Sequence, residues 1–139
     1  MLDCLIIGDE IAKGIANTLP DCKAITVQKM KTQDFISKYR TKLGKNTTVI
    51  ISLGMADSKD PHVYQNLSLL RSSIEADVVV WMIPNETLFP ELASYIETLA
   101  QDFGDGTVGI RKDWLEKDGI HPTKKGYKEL GKSLKEAVY

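Results

Sequence analysis

Runs of apolar, β-branched residues alternate with stretches of helical periodicity from one end of this chain to the other. Leu2 to Ile7, Ala24 to Val27, Thr48 to Leu53, Val78 to Ile83 and Thr107 to Ile110 have the length and composition of strands. Three of these runs are nearly continuous in apolar residues, which suits strands covered on both faces. Between them the apolar positions recur every three to four residues and so fall on one face of a helix. Ile11, Ile15 and Leu19 form the first such stripe, and Phe35, Ile36, Tyr39 and Leu43 the second. Tyr64, Leu67, Leu70 and Ile74 make the third. Leu88, Leu92, Tyr95, Ile96, Leu99 and Phe103 make the fourth, which Gly104 ends. A last helix after Pro122-Thr123 packs through Tyr127, Leu130, Leu134 and Val138.

Strict alternation of strand and helix predicts α/β architecture: a parallel sheet with right-handed crossovers and helices on both faces. Five strands favour a three-layer α/β/α sandwich with a flavodoxin-like strand order, 2-1-3-4-5. Ligands in such a sheet sit beyond the C-terminal strand ends, beside strand 1, where the order reverses. The loops expected there are Gly8-Asp9-Glu10, the stretch around Lys29, and Gly54-Met55-Ala56-Asp57, with Asp118 and His121 brought to the same edge by the loop before the last helix. No linker, repeat or low-complexity tract divides residues 1–139, so one domain is expected.

Composition narrows the function classes. A net charge of -1 and the lack of a basic stripe interleaved with aromatics argue against nucleic acid as a partner. Lys124, Lys125 and Lys128 read as the solvated face of the last helix. The first apolar run is interrupted by Asp3 and is too short for a signal segment or a membrane span, so a cytoplasmic location is expected. Cys4 and Cys22 lack metal-ligand spacing; two reduced, packed thiols are expected, with a redox pair as the alternative if their strands are neighbours.

The candidate chemistry lies at the chain's two ends. In Asp118-Gly119-Ile120-His121-Pro122 an Asp stands three residues before a His, the spacing that lets a carboxylate orient an imidazole as in the base half of a hydrolytic triad. Near the other end, Gly8-Asp9-Glu10 turns from a strand into a helix. Taken together, IIGDEIAKGIA, VIISLGMAD, VVWMIP and DGIHPTKKGYKELG resemble the blocks of the SGNH/GDSL hydrolases, especially short bacterial and phage-type members that begin with a GDSIA-like turn. The resemblance spans nearly the whole chain, and the DxxHP segment before the terminal helix is its most specific part. It implies the SGNH hydrolase fold.

What the resemblance implies for function is less direct. The family's nucleophile is a serine in the first block, and Glu10 stands there. Asp118 and His121 match the family's pair. In the oxyanion region Gly54 and Asp57 are kept, Ala56 stands where the family has an asparagine, and an ungapped reading of the second block puts Lys29 in place of a glycine. Losing one oxyanion donor alone typically lowers kcat about 10²–10³-fold. Without the serine the covalent route is gone as well. The expectation is therefore a pseudoenzyme: a binding or assembly protein whose cleft takes a small acyl or glycan group, or a subunit of a larger assembly such as a phage particle by family analogy, which would place it in the virion.

The alternative is a hydrolase, esterase-like or glycan-directed, in which Glu10 acts as general base or carboxylate nucleophile with His121 as acid partner. Glu10, Asp57, Asp118 and His121 match no dedicated metal motif, and neither a metal nor another cofactor is expected. Asp9 is read as bracing its turn and Asp60 as capping the third helix, beside an exposed His62. Trp81 is read as core. Trp114 either packs the DxxH loop or lines the cleft, and Asn85 is either a site residue or a turn residue.

Overall fold

Residue alternation along each strand divides the core in two. The computed structural model describes residues 3–138; Leu2 lies outside them, as does the side chain of Val138. Its strands are β1 (Cys4–Gly8), β2 (Lys23–Thr26), β3 (Lys45–Ser52), β4 (Glu75–Ile83) and β5 (Gly106–Gly109). They form one sheet in the order β2-β1-β3-β4-β5, parallel throughout. Helices α1 (Glu10–Thr18), α2 (Thr32–Tyr39), α3 (Val63–Ser72), α4 (Pro90–Phe103) and α5 (Lys124–Val138) connect or follow the strands. Leu5, Ile7, Val49, Ile51, Val79, Trp81 and Ile83 face α2, α3 and α4 through Phe35, Leu67 and Leu92. The intervening Cys4, Ile6, Ile50, Val80 and Met82 face α1 and α5 through Ile11, Ile15, Leu130 and Leu134. This is the three-layer α/β/α sandwich, in the strand order the alternation predicts. Among the described residues no helix is long and apolar enough to cross a membrane.

Element boundaries shift from the sequence reading where local pattern and burial part company. β3 and β4 begin earlier, at Lys45 and Glu75, because polar residues at the sheet's lower rim still pair in register. Ile74 is thus buried just ahead of a strand rather than on the third helix. Leu88 precedes α4 and is exposed, and Tyr95 and Phe103 are also exposed, so the fourth stripe is narrower than its apolar residues suggest. Leu43 stays in the core but follows a short 3-10 turn, Arg40–Lys42.

The cysteines overturn the expectation of reduced thiols. β1 and β2 are neighbours, with Leu5 opposite Lys23, so Cys4 and Cys22 fall side by side just below that pair. They form a disulfide with a Cα–Cα distance of 4.7 Å. The link fastens the edge strand β2 to β1, across a sequence separation of 18 that includes all of α1.

Away from the site, a buried polar knot holds the β4 side of the molecule. Asp105 accepts two hydrogen bonds from Arg71, at 2.7 and 2.9 Å, and one from Trp81 Nε1 at 2.9 Å. Trp81 is core, as read from sequence, with its single polar atom satisfied.

Candidate functional site

The site begins at a turn that only glycine allows. Gly8 has φ 134°, and a Cβ there would overlap the Ser52 carbonyl at the end of β3. That close approach lets Asp9 N donate to Ser52 O at 2.9 Å and starts α1 at the upper edge of the sheet. Asp9 caps the helix: its Oδ1 accepts from Ile11 N and Ala12 N, and also from Ser52 Oγ at 2.9 Å. Burial, opposed by these hydrogen bonds, pushes the Asp9 carboxyl up to about 6. Its Oδ2 is buried without a hydrogen-bond partner. The bracing role read for Asp9 holds, and Ser52 joins it as a residue the sequence reading missed. The signal was a hydroxyl directly after the apolar run Val49–Ile51, at the upper end of the strand.

The loop before α5 supplies the other half. Gly119 at φ 70° turns the chain so that Asp118 Oδ1 accepts from Ile120 N and His121 N, at 2.8 and 3.0 Å. Asn85 Nδ2 donates to Gly119 O, Glu116 N donates to His121 O, and Leu115 bridges Pro122. Asn85 Oδ1 also accepts from Thr87 N, so this residue both closes its own turn and anchors the loop. Trp114 packs the loop, with its carbonyl taking Thr123 N at 2.7 Å and its ring against the α1–α5 core.

These halves meet at His121. Its Nδ1 lies 2.7 Å from Asp118 Oδ2 and its Nε2 lies 2.8 Å from Glu10 Oε2. An ionised carboxylate only accepts, so occupying both ring nitrogens calls for a proton on each. Asp118 first and Glu10 second raise the His121 pKa, against a smaller opposing effect of burial. Reciprocally, the imidazole and two backbone N–H groups draw Asp118 down to about 2. The two contacts together favour the imidazolium form of His121, held between the Asp118 and Glu10 carboxylates.

The remaining predicted residues are placed differently. Asp57 is buried and turned away, accepting from Thr32 Oγ1 at 3.0 Å, so it ties the loop after β3 to the start of α2. Burial raises its pKa, and its Oδ2 has no partner. Gly54 is buried at φ 112° against Leu92, and Ala56 is exposed. Lys29 is exposed and, among the described residues, joins no ion pair. Lys29 also has left-handed backbone, φ 55°, a conformation that favours glycine. Its loop is held to the site by Val27 N donating to Gly8 O. A cleft of about 280 Å³, lined by Asp9, Glu10, Lys13, Thr26, Val27 and Gln28, opens beside Glu10. His62 is exposed, with Asp60 Oδ1 accepting its N–H ahead of α3. Among the described residues no group of three or more His, Cys, Asp and Glu side chains is arranged to hold a metal ion.

No protein-family model matches the sequence, and no curated protein matches it. Solved structures do. A GDSL-like lipase from Bacteroides thetaiotaomicron superposes with a TM-score of 0.78 at 17% identity, over 98% of this chain and 87% of that one. Phospholipase A1 from Streptomyces albidoflavus gives 0.74 at 13% identity, over 99% of each chain. The C-terminal catalytic domain of peptidoglycan O-acetyltransferase A from Streptococcus pneumoniae gives 0.66 at 12%, over 98% of this chain and 92% of that one. This chain has the fold of the SGNH/GDSL hydrolases. At such identities the likeness speaks for the fold alone.

Proposed function

We propose that this is an SGNH-hydrolase-like protein that has lost the serine-hydrolase mechanism and acts as a non-catalytic binding or assembly protein. One observation carries this reading: the 2.8 Å contact between His121 Nε2 and Glu10 Oε2. A triad histidine must offer an unprotonated Nε2 to a nucleophile's proton. Here that nitrogen faces a carboxylate that favours its protonated form, at the position where the family resemblance calls for serine. Ala56 offers no side-chain amide to an oxyanion, and Lys29 replaces the glycine of the second block in that alignment. The cleft beside Glu10 is left to bind a small acyl or glycan group, or to seat a protein partner in an assembly such as a phage particle. The variety of activities among the similar structures, a lipase, a phospholipase and an acetyltransferase, fits a scaffold whose loops set its role.

One observation favours a second reading, a hydrolase with Glu10 as base or nucleophile: Glu10 lines that cleft with its carboxylate only partly covered. A short-chain p-nitrophenyl ester panel separates the two. The wild-type rate should equal that of His121→Ala, while Glu10→Ser combined with Lys29→Gly and Ala56→Asn should gain turnover over both. Wild-type turnover that disappears in His121→Ala refutes the non-catalytic reading. A folded but inert triple variant refutes the block-by-block placement of the oxyanion region.

A further inference from the structure

The lysines of α5 do more than face solvent. Lys124 and Lys125 open the helix and Lys128 follows one turn later. All three border one cleft of about 720 Å³ between α5 and α1, together with Asn17, Thr18 and Tyr127. A purely solvated lysine face borders no cavity; these three line a concavity of the size that holds small organic molecules. Among the described residues none of the three is in an ion pair, and no carboxylate lines the cleft. The cleft shares no lining residue with the one beside Glu10.

The floor is mostly apolar. The Tyr127 ring lies against Gly14 of α1, so closely that a Cβ at Gly14 would overlap it. A glycine inside a helix is less favourable than alanine. This one lets the aromatic ring sink between the helices, and it forms the cleft's inner wall. The Thr18 hydroxyl is spent on Ile15 O at 2.7 Å, which reduces its polar contribution to the floor. The Tyr127 hydroxyl has no hydrogen-bond partner among the described residues, and burial first, then the nearby Asp9, Glu10 and Asp118, push its pKa up to about 12, so it stays a donor at neutral pH. Three lysines and Asn17 therefore border a mostly apolar floor.

We infer that the cleft between α1 and α5 is a binding site for a small amphipathic organic anion, a phosphate or carboxylate group carried on an apolar body. The body lies on the Gly14–Tyr127 floor and the anionic group meets Lys124, Lys125 and Lys128. The apolar part alone lacks the ionic contacts, and the anion alone leaves the floor wet, so both halves are needed.

The test titrates the full chain with 1-naphthyl phosphate, following backbone amide shifts by NMR, with 1-naphthol and inorganic phosphate as the two half-ligands. The expected result is saturable binding with a Kd at or below about 1 mM, shifts centred on Gly14, Asn17, Thr18 and Tyr127, and binding by each half-ligand at least about tenfold weaker. Replacing all three exposed lysines by glutamine should weaken 1-naphthyl phosphate about tenfold or more without lowering Tm, and raised salt should do the same in the wild type. His121→Ala should leave binding unchanged, which keeps this site distinct from the Glu10 cleft. Absence of saturable binding, shifts centred on Glu10 and Gln28, or affinity indifferent to the lysine replacements would each overturn the inference.

Discussion

Replacing Glu10 by glutamine isolates the contact on which the functional reading rests. The change keeps the side chain's size and removes its charge, so His121 loses one of two carboxylate partners. Asp118 is the larger cause of the raised His121 pKa, so the titration should fall toward the ordinary value of 6.5 while remaining above it. The pair is partly solvent-exposed, with side-chain exposures of 40% for His121 and 26% for Glu10, so the charge-pair contribution is roughly 0.5–1 kcal/mol. Its pH dependence follows from the direction of the shift. A raised folded pKa gives stability that is fully present below the unfolded value and is lost as pH rises through the folded one. Near pH 5.5 Glu10→Gln should therefore be the less stable protein. Near pH 9 a neutral imidazole that keeps its proton toward Asp118 turns a lone pair toward Glu10, whereas the glutamine amide can donate to it. There the variant should equal or exceed the wild type. Urea denaturation at the two pH values measures the difference, and NMR titration of His121 in wild type and variant measures the shift. A His121 titration that Glu10→Gln does not move, or a stability loss of the same size at both pH values, would refute the ion-pair argument.

Three further outcomes are expected. Reduction of the Cys4–Cys22 disulfide, which spans a sequence separation of 18, should lower unfolding stability by about 3 kcal/mol, and Cys22→Ser should match the reduced wild type in urea. Asp105→Ala strips Arg71 and Trp81 of their shared buried acceptor and should cost about 3–5 kcal/mol, while Asp105→Asn, which keeps an acceptor oxygen, should cost less. Asp9, raised from 3.8 to about 6, keeps its proton in the folded chain after the unfolded chain has lost it. Its contribution should therefore fall by roughly 3 kcal/mol between about pH 4 and 6, and the urea midpoint of Asp9→Asn should lack that part of the slope.

Sequence by itself determined the periodicities and therefore the layers: β-branched runs made strands, three-to-four-residue spacing made helices, and their strict alternation left few topologies for a parallel sheet. It also located Asp118 and His121, because a DxxH spacing is local and a short turn holds both ends. Glu10 was visible as a residue out of place, but its contact with His121 joins opposite ends of the chain and exists only in the folded molecule. Tertiary structure decided what depends on register and on which way a packed side chain turns. Cys4 and Cys22 became a disulfide because β1 and β2 are adjacent in register, which no spacing of 18 residues can announce. Asp57, in a loop aimed at the site, turned instead to Thr32, since the start of α2 lay within hydrogen-bonding reach. Lys124, Lys125 and Lys128 read as an ordinary polar face until α1 came against α5 and Gly14 admitted the Tyr127 ring. Local pattern sets the direction a backbone takes; a cleft is a relation between two helices far apart in sequence, and it exists only once both have packed.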